Sequence, residues 1–161
     1  MSEADELRRV PPLGWLALGL LAQKGFGDRP SRTSRGLAGL VATTSLGLLA
    51  WAVASFRRHE TTVDPLAPER ASQLVIDGPF QVTRNPMYVG MGGLLVANAI
   101  ARRSVLGLLP AAGFVLVIDK AQIEAEERAM AARFGRDWDQ YVATTPRWVD
   151  HRSFIRRKPA A

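Results

Sequence analysis

The sequence predicts an all-α integral membrane protein: three to four transmembrane helices, a C-terminal helical hairpin and a cytoplasmic amphipathic tail, in a single domain over residues 1–161. Three observations predict it. Residues 36–56 (GLAGLVATTSLGLLAWAVASF) run for 21 positions without a charge, matching the ~20 apolar residues with which a helix crosses a bilayer core. Two more uncharged runs, residues 87–101 and 104–118, are separated only by Arg102 and Arg103, which reads as a helical hairpin. A weaker apolar run covers residues 10–22. Composition alone, with 22% charged residues and a mean hydropathy near zero, would pass for a soluble protein, so the distribution carries the argument.

Taken in order, the first run is followed closely by Lys24, Arg29, Arg32 and Arg35, so it either crosses the membrane or lies along its interface. A polar turn over residues 23–35 leads to the long second helix. The two later runs have 15 residues each, roughly 22 Å at ~1.5 Å per residue against a ~30 Å core. They can cross if polar flanks snorkel or the helices extend into neighbouring segments. The competing reading, core helices of a soluble domain, asks a short chain to wrap several all-apolar helices in polar structure.

Between the second and third helices lie about thirty residues with turn signals at Asp64-Pro65, Ala67-Pro68 and Asp77-Gly78-Pro79. Loops longer than ~12–15 residues are usually functional or disordered, and the apolar Leu74-Val75-Ile76 and Phe80 argue for order. At Asn85-Pro86 a favoured N-cap residue precedes a proline suited to the first helical position, so the third helix should start there. Its free backbone N–H groups would favour a carboxylate or phosphate, with Arg84 adding positive charge. Gly90, Gly92 and Gly93 then allow close approach of a ligand or of a neighbouring helix.

The fourth run continues into DKAQIEAEERAMAARFG, which Gly135 should end. At ~100° per residue Glu127 falls within the apolar face defined by Ile123, Met130 and Phe134, and Glu126 at its edge. A carboxylate there needs an ion-pair partner, for which Arg84, Lys120 and Arg147 are candidates, or a ligand. Beyond Gly135, Trp138, Tyr141 and Val142 at helical spacing, followed by Pro146-Arg147-Trp148, suit an interfacial anchor or a lid over a cytoplasmic pocket.

Several function classes fall away. The chain has no cysteine and only His59 and His151, so disulfides, thiolate catalysis and a dedicated metal site are not expected. The start, MSEADELRRV, lacks a cleavage signature, and the first apolar run is expected to be retained. A net charge of +6 and a pI near 10.7 do not indicate nucleic acid, because the basic residues flank apolar segments and form no recognition motif; membrane lipids with anionic headgroups are a sufficient partner. In a four-span arrangement fifteen Lys and Arg fall on one side and six on the other. The positive-inside tendency then places both termini, the long loop and Glu126-Glu127 in the cytoplasm, with the protein in the inner membrane.

The pieces Thr61-Thr62-Val63-Asp64-Pro65, Leu74-Val75-Ile76-Asp77-Gly78-Pro79-Phe80, Arg84-Asn85-Pro86-Met87-Tyr88-Val89-Gly90, Glu126-Glu127, Phe134-Gly135 and Tyr141 with Arg147-Trp148 occur in an order and spacing that resembles the isoprenylcysteine carboxyl methyltransferase and phospholipid methyltransferase superfamily of integral membrane enzymes. The resemblance covers about residues 56–148. It implies an S-adenosylmethionine site at the cytoplasmic membrane face built from Leu74, Val75, Gly78, Phe80, Arg84, Asn85, Pro86, Tyr88, Gly90, Glu126 and Glu127. By the same analogy the glutamates accept hydrogen bonds from the cofactor and the Asn85 turn holds its carboxylate. Arg147 and Lys120 are candidates for holding an anionic group on the acceptor, Arg147 the better because its fork binds bidentately. No GxGxxG follows a strand.

Many members of that superfamily carry histidine at the place of Asn85 and often arginine at the place of Lys120; asparagine cannot carry a proton and lysine lacks the fork. The implied activity is methylation of a lipophilic small-molecule or lipid acceptor, bearing a carboxylate, thiol or amine. Alternatives are a non-catalytic membrane partner that retains the fold and an NADPH-dependent enzyme resembling the sterol reductases.

Overall fold

A computed structural model describes residues 7, 9–59 and 72–154, and every regular element among them is helical. Helix α1 (Pro12–Ala22) starts at a proline, whose missing N–H costs nothing in the first turn, and tightens into a 3-10 turn at Gln23–Gly25. Helix α2 (Arg32–Arg58) has 27 residues and is the one helix among those described that is long and apolar enough to cross a membrane. It begins within the expected polar turn, because Ser31 and Ser34 form a reciprocal cap: the Ser34 N–H donates to Ser31 Oγ at 3.0 Å and the Ser31 N–H to Ser34 Oγ at 2.9 Å.

Helix α3 (Pro86–Ala101) and helix α4 (Leu108–Val117) form the expected hairpin. The fourth helix starts four residues later than its uncharged run, because residues 104–107 make a turn in which the Gly107 N–H donates to Ser104 Oγ at 2.9 Å. Helix α4 does not run unbroken into the charged stretch: a π-helical segment (Ile118–Ile123) joins it to α5 (Glu124–Phe134). Gly135, at φ +50°, breaks the chain direction, and α6 (Arg136–Thr144) follows directly.

The centre of the bundle is apolar, with Tyr88, Met91, Leu95, Ala111, Phe114, Ile118 and Ile123 buried together. Helices α2 and α3 approach closely because their contact is lined by small residues. A Cβ added at Gly90 would stand 2.7 Å from Leu49 and 3.0 Å from the Ser45 carbonyl oxygen, and one at Gly93 would overlap the Ser45 hydroxyl. A second cluster of Ala52, Val75, Phe80, Trp138 and Tyr141 packs the loop and α6 against the end of α2. Leu18 and Leu21 of α1, Leu40 and Leu46 of α2, and Leu109 and Leu116 of α4 are more than half exposed, so the outside of the bundle is itself apolar.

Candidate active site

A cavity of about 620 Å³ opens among α1, α2, α3, α5, α6 and the segment around residues 73–80. Leu74, Val75, Phe80, Arg84, Asn85, Pro86, Tyr88, Glu126 and Glu127 all line it, although they come from three separated stretches of the chain. Gly78 and Gly90 do not line it, because each serves packing on α2. Gly78 holds φ +57°, and a Cβ there would stand 3.1 Å from both Trp51 and Ser55; Gly90 faces Leu49 and Ser45. The Thr61–Pro65 part of the motif lies outside the described residues.

The polar end is organised around Glu127. The Arg84 guanidinium donates to Glu127 Oε1 through Nη2 at 2.6 Å and Nε at 3.2 Å, and to the Thr145 carbonyl through Nη1 at 2.6 Å. Arg147 donates from Nη2 to Glu127 Oε2 and from Nε to Oε1, and its Nη1 reaches both oxygens of Asp119 at 3.1 and 3.2 Å. Of the ion-pair candidates for Glu127, Arg84 and Arg147 are therefore both engaged. Lys120 is not: it lies off the cavity wall with its side chain 70% exposed, and pairs with Glu124 at 2.9 Å.

The π segment helps make this possible. In an unbroken α-helix Asp119 and Glu127, eight residues apart, would point ~80° away from each other, and a wider i→i+5 turn reduces that angle. One guanidinium consequently touches both. The Trp148 indole N–H also donates to Asp119 Oδ1 at 2.8 Å. Partial burial pushes the Asp119 carboxyl up, but the hydrogen bonds from Trp148 and Arg147 and the charges of Arg147 and Lys120 outweigh it, leaving this group below the ordinary carboxylate range. The Arg147 guanidinium is held above its ordinary value chiefly by its hydrogen bonds to Glu127.

Glu126 has a different setting. The Tyr88 hydroxyl donates to its Oε1 at 2.6 Å and the buried Gln122 amide to the same oxygen at 2.9 Å, so neutral donors from α3 and the π segment orient this carboxylate on the cavity wall.

Asn85 precedes Pro86 as expected but does not cap α3 through its side chain. Its backbone, at φ −127° and ψ 54°, is away from the extended conformation that capping uses. The carboxamide instead donates to the Arg147 carbonyl at 3.1 Å, the carbonyl that the Thr83 hydroxyl reaches at 2.7 Å, while the Asn85 N–H donates to Thr83 Oγ1 at 3.2 Å. Together with the Arg84 N–H donating to the Pro146 carbonyl at 2.9 Å, these bonds strap residues 145–148 across the start of α3.

The aromatic tail closes the cavity as a wall. Trp138 and Tyr141 of α6 are buried and line it, and the Tyr141 hydroxyl donates to the Phe80 carbonyl at 2.7 Å. Burial pushes that hydroxyl's pKa well above the ordinary tyrosine value. The Arg84 guanidinium lies 5.8 Å from the Trp138 ring centroid, close enough for a cation–π contact.

Asp119, Gln122 and Thr83 hold the candidate site residues Arg147, Glu126 and Asn85 and were not singled out from the sequence. Asp119 was visible as the first charge after an apolar run, but its partners Arg147 and Trp148 are 28 and 29 residues away. No group of three or more His, Cys, Asp or Glu among the described residues could hold a metal ion.

A model of the phospholipid methyltransferase family matches residues 34–137, more than half of the chain. No curated protein and no solved structure matches it.

Proposed function

The chain belongs to the phospholipid methyltransferase family, and from that premise we propose that it is an integral membrane methyltransferase that uses S-adenosylmethionine and modifies a lipophilic acceptor carrying a carboxylate, thiol or amine. The observation that carries this reading is the convergence of the loop segment, the Arg84-Asn85-Pro86 turn, Tyr88 and the Glu126-Glu127 pair on one cavity.

The residues present fit the cofactor. At about 620 Å³ the cavity is of the size that encloses small-molecule ligands, ~300–1,000 Å³, and like them it is mainly apolar with a few convergent polar groups. When bound, S-adenosylmethionine supplies an electrophilic methyl group, released as its carbon–sulfur bond breaks with the electron pair left on sulfur. Glu126, held by Tyr88 and Gln122, offers a carboxylate to the hydroxyl, amino or sulfonium groups of such a ligand. Phe80, Val75 and Leu74 would offer an apolar surface for its base, and Asn85 and Arg84 would hold its carboxylate.

Arg147 acts in this reading as a positioning residue, because unlike Arg84 it does not line the cavity and its guanidinium holds Glu127 and Asp119. Exclusion of water by the α6 aromatics strengthens the electrostatics inside the cavity, and alignment of the two reactants supplies the larger part of the acceleration. The charge asymmetry of the flanks, fifteen basic residues against six, supports an inner-membrane protein with this site on the cytoplasmic face.

The test is equilibrium binding of S-adenosylmethionine to the detergent-purified protein, beside Glu126→Gln and Asn85→Ala. Saturable binding weakened at least tenfold, or about 1.4 kcal/mol, in both variants is expected. A folded wild type that binds no cofactor with or without lipid overturns the reading.

A further inference from the structure

The bundle holds its cations in two ways. At the cavity end Arg84, Lys120, Arg147 and Arg152 each pair with a carboxylate. At the opposite end Lys24, Arg29, Arg32, Arg35, Arg102 and Arg103 make no ion pair among the described residues, and Asp28 is the one acid in the two connections that carry them. These connections form one surface because the α1–α2 link is bonded to the α3–α4 turn. Arg102 donates to the Phe26 and Lys24 carbonyls, the Asp28 N–H donates to the Arg102 carbonyl at 2.8 Å, and the Ser34 hydroxyl donates to the Ala101 carbonyl at 3.3 Å. Gly27, at φ +90°, lets the two stretches touch, since a Cβ there would overlap the Arg102 carbonyl oxygen. Lys24, Arg29, Arg32, Arg35 and Arg103 are exposed on this surface. Beside them the turn pushes out Val105, 83% exposed, and Leu106, and just below them on the helices Leu21, Leu37, Leu40 and Leu109 are more than half exposed.

Repulsion within this cluster is not offset by the chain itself. Arg32 opens α2 and Arg35 follows three residues later, at the positive end of the helix dipole, and the first turn holds no acidic residue. Guanidinium forks suit the paired oxygens of a phosphate, and a cationic ring above a collar of exposed leucines matches headgroups lying over hydrocarbon. We propose that this end of the bundle is a binding surface for anionic phospholipids of the leaflet opposite the cavity. Arg29, Arg32, Arg35 and Arg103 hold the headgroup phosphates, and Val105 and Leu106 dip among the acyl chains. The surface gives a purpose to the six basic residues that the positive-inside tendency would place on the other side. The inference is independent of methyl transfer and rests only on the chain lying in a membrane.

The experiment reconstitutes the full-length protein in phosphatidylcholine vesicles that hold trace spin-labelled phosphatidylglycerol or phosphatidylcholine. Electron paramagnetic resonance then reads how much of each probe the protein restricts. Wild type should restrict the anionic lipid roughly threefold more strongly than the zwitterionic one, and should lose that preference in 1 M NaCl, where the Debye length falls to about 3 Å. Arg29→Gln/Arg32→Gln/Arg103→Gln should at least halve the preference. Arg128→Gln/Arg133→Gln/Arg136→Gln, which changes three exposed arginines at the cavity end, should keep it. Melting temperature in phosphatidylcholine alone separates lost binding from lost fold, and Arg103→Gln by itself should lower the preference if the triple variant unfolds. No preference in wild type, a preference unchanged by the first set of substitutions, or an equal loss in both sets overturns the proposal. Full competition by millimolar inorganic phosphate overturns it too, since the site would then take a free anion. Wild type that fails to enter the vesicles refutes the membrane reading, and the lipid surface with it, by a separate readout.

Discussion

Two polar clusters, one buried and one partly exposed, sit at opposite ends of the bundle, and they are built from different chemistry. At the end away from the cavity, Gln23 is fully buried: its amide donates to the Leu95 carbonyl at 2.8 Å and the Gly107 carbonyl at 2.7 Å, and its oxygen accepts from Asn98 at 2.8 Å. Arg102 closes the same end by donating to the Phe26 and Lys24 carbonyls at 2.8 and 2.7 Å. At the cavity end the corresponding work is done by charges, Arg84, Arg147, Glu127 and Asp119. No buried side-chain polar atom among the described residues lacks a partner, so both clusters are satisfied.

A neutral amide that saturates itself within the chain staples the end of α1 to the α3–α4 turn and does not line the candidate-site cavity. Charges are more costly to bury, and replacing them with apolar residues is often neutral or stabilising. Stability alone is therefore a poor reason for placing two arginines and two carboxylates beside a ligand-sized space.

The sharpest way to break this comparison is Glu127→Ala. It leaves Arg84 and Arg147 facing each other without the shared carboxylate, and we expect a loss of about 3 kcal/mol in denaturant unfolding together with at least a tenfold loss in cofactor affinity. Gln23→Leu should destabilise by about 1–3 kcal/mol, since two carbonyls and Asn98 lose a buried partner. Its cofactor affinity should stay within twofold of wild type. A Gln23 variant that loses cofactor as severely as the Glu127 variant would erase the distinction between the two ends.

Acid provides a smaller and sharper probe. The Asp119 carboxyl titrates below its ordinary 3.8 in the folded protein, so the stabilisation it contributes is present above the unfolded pKa and is lost as pH falls through the folded one. Trp148 fluorescence, followed at the other end of the Asp119 contact, should therefore change only at pH below about 4, and Asp119→Asn should remove that transition. A transition between pH 5 and 7 would point to another group. Smallest of all is Lys120→Ala: with an exposed ammonium off the cavity wall, it should leave cofactor affinity within twofold and the melting temperature unchanged.

Much of the fold was legible because its signals are local. Uncharged runs mark where helices lie, Arg102-Arg103 marks the hairpin turn, Asn85-Pro86 marks the start of α3 and Gly135 the end of α5. The start of α2 at Arg32 was less visible, since a cap made by two serines lies inside a stretch dominated by arginines. Nine of the residues named from motif order meet on one cavity, whereas Gly78, Gly90, Lys120 and Arg147 do not line it. Lys120 and Arg147 looked alike as basic residues near a carboxylate pair, and their fates differ because one points outward from the π segment while the other is carried back to it by the strap at residues 145–148.

Local signals are enough to say which stretches become helix and which residue types sit at the start of α3 and the start of α5, because hydropathy runs, prolines and glycines act over a few residues. Tertiary packing is what gives Glu127 its two arginines, Glu126 its bonds from Tyr88 and Gln122, and the cavity its lining from α1. Those outcomes depend on how far each helix is rotated about its axis, and a single π segment between Ile118 and Ile123 changes that rotation for everything after it. Contacts such as Arg84 with Glu127 join positions 43 residues apart, a separation at which local preference carries no information about the partner.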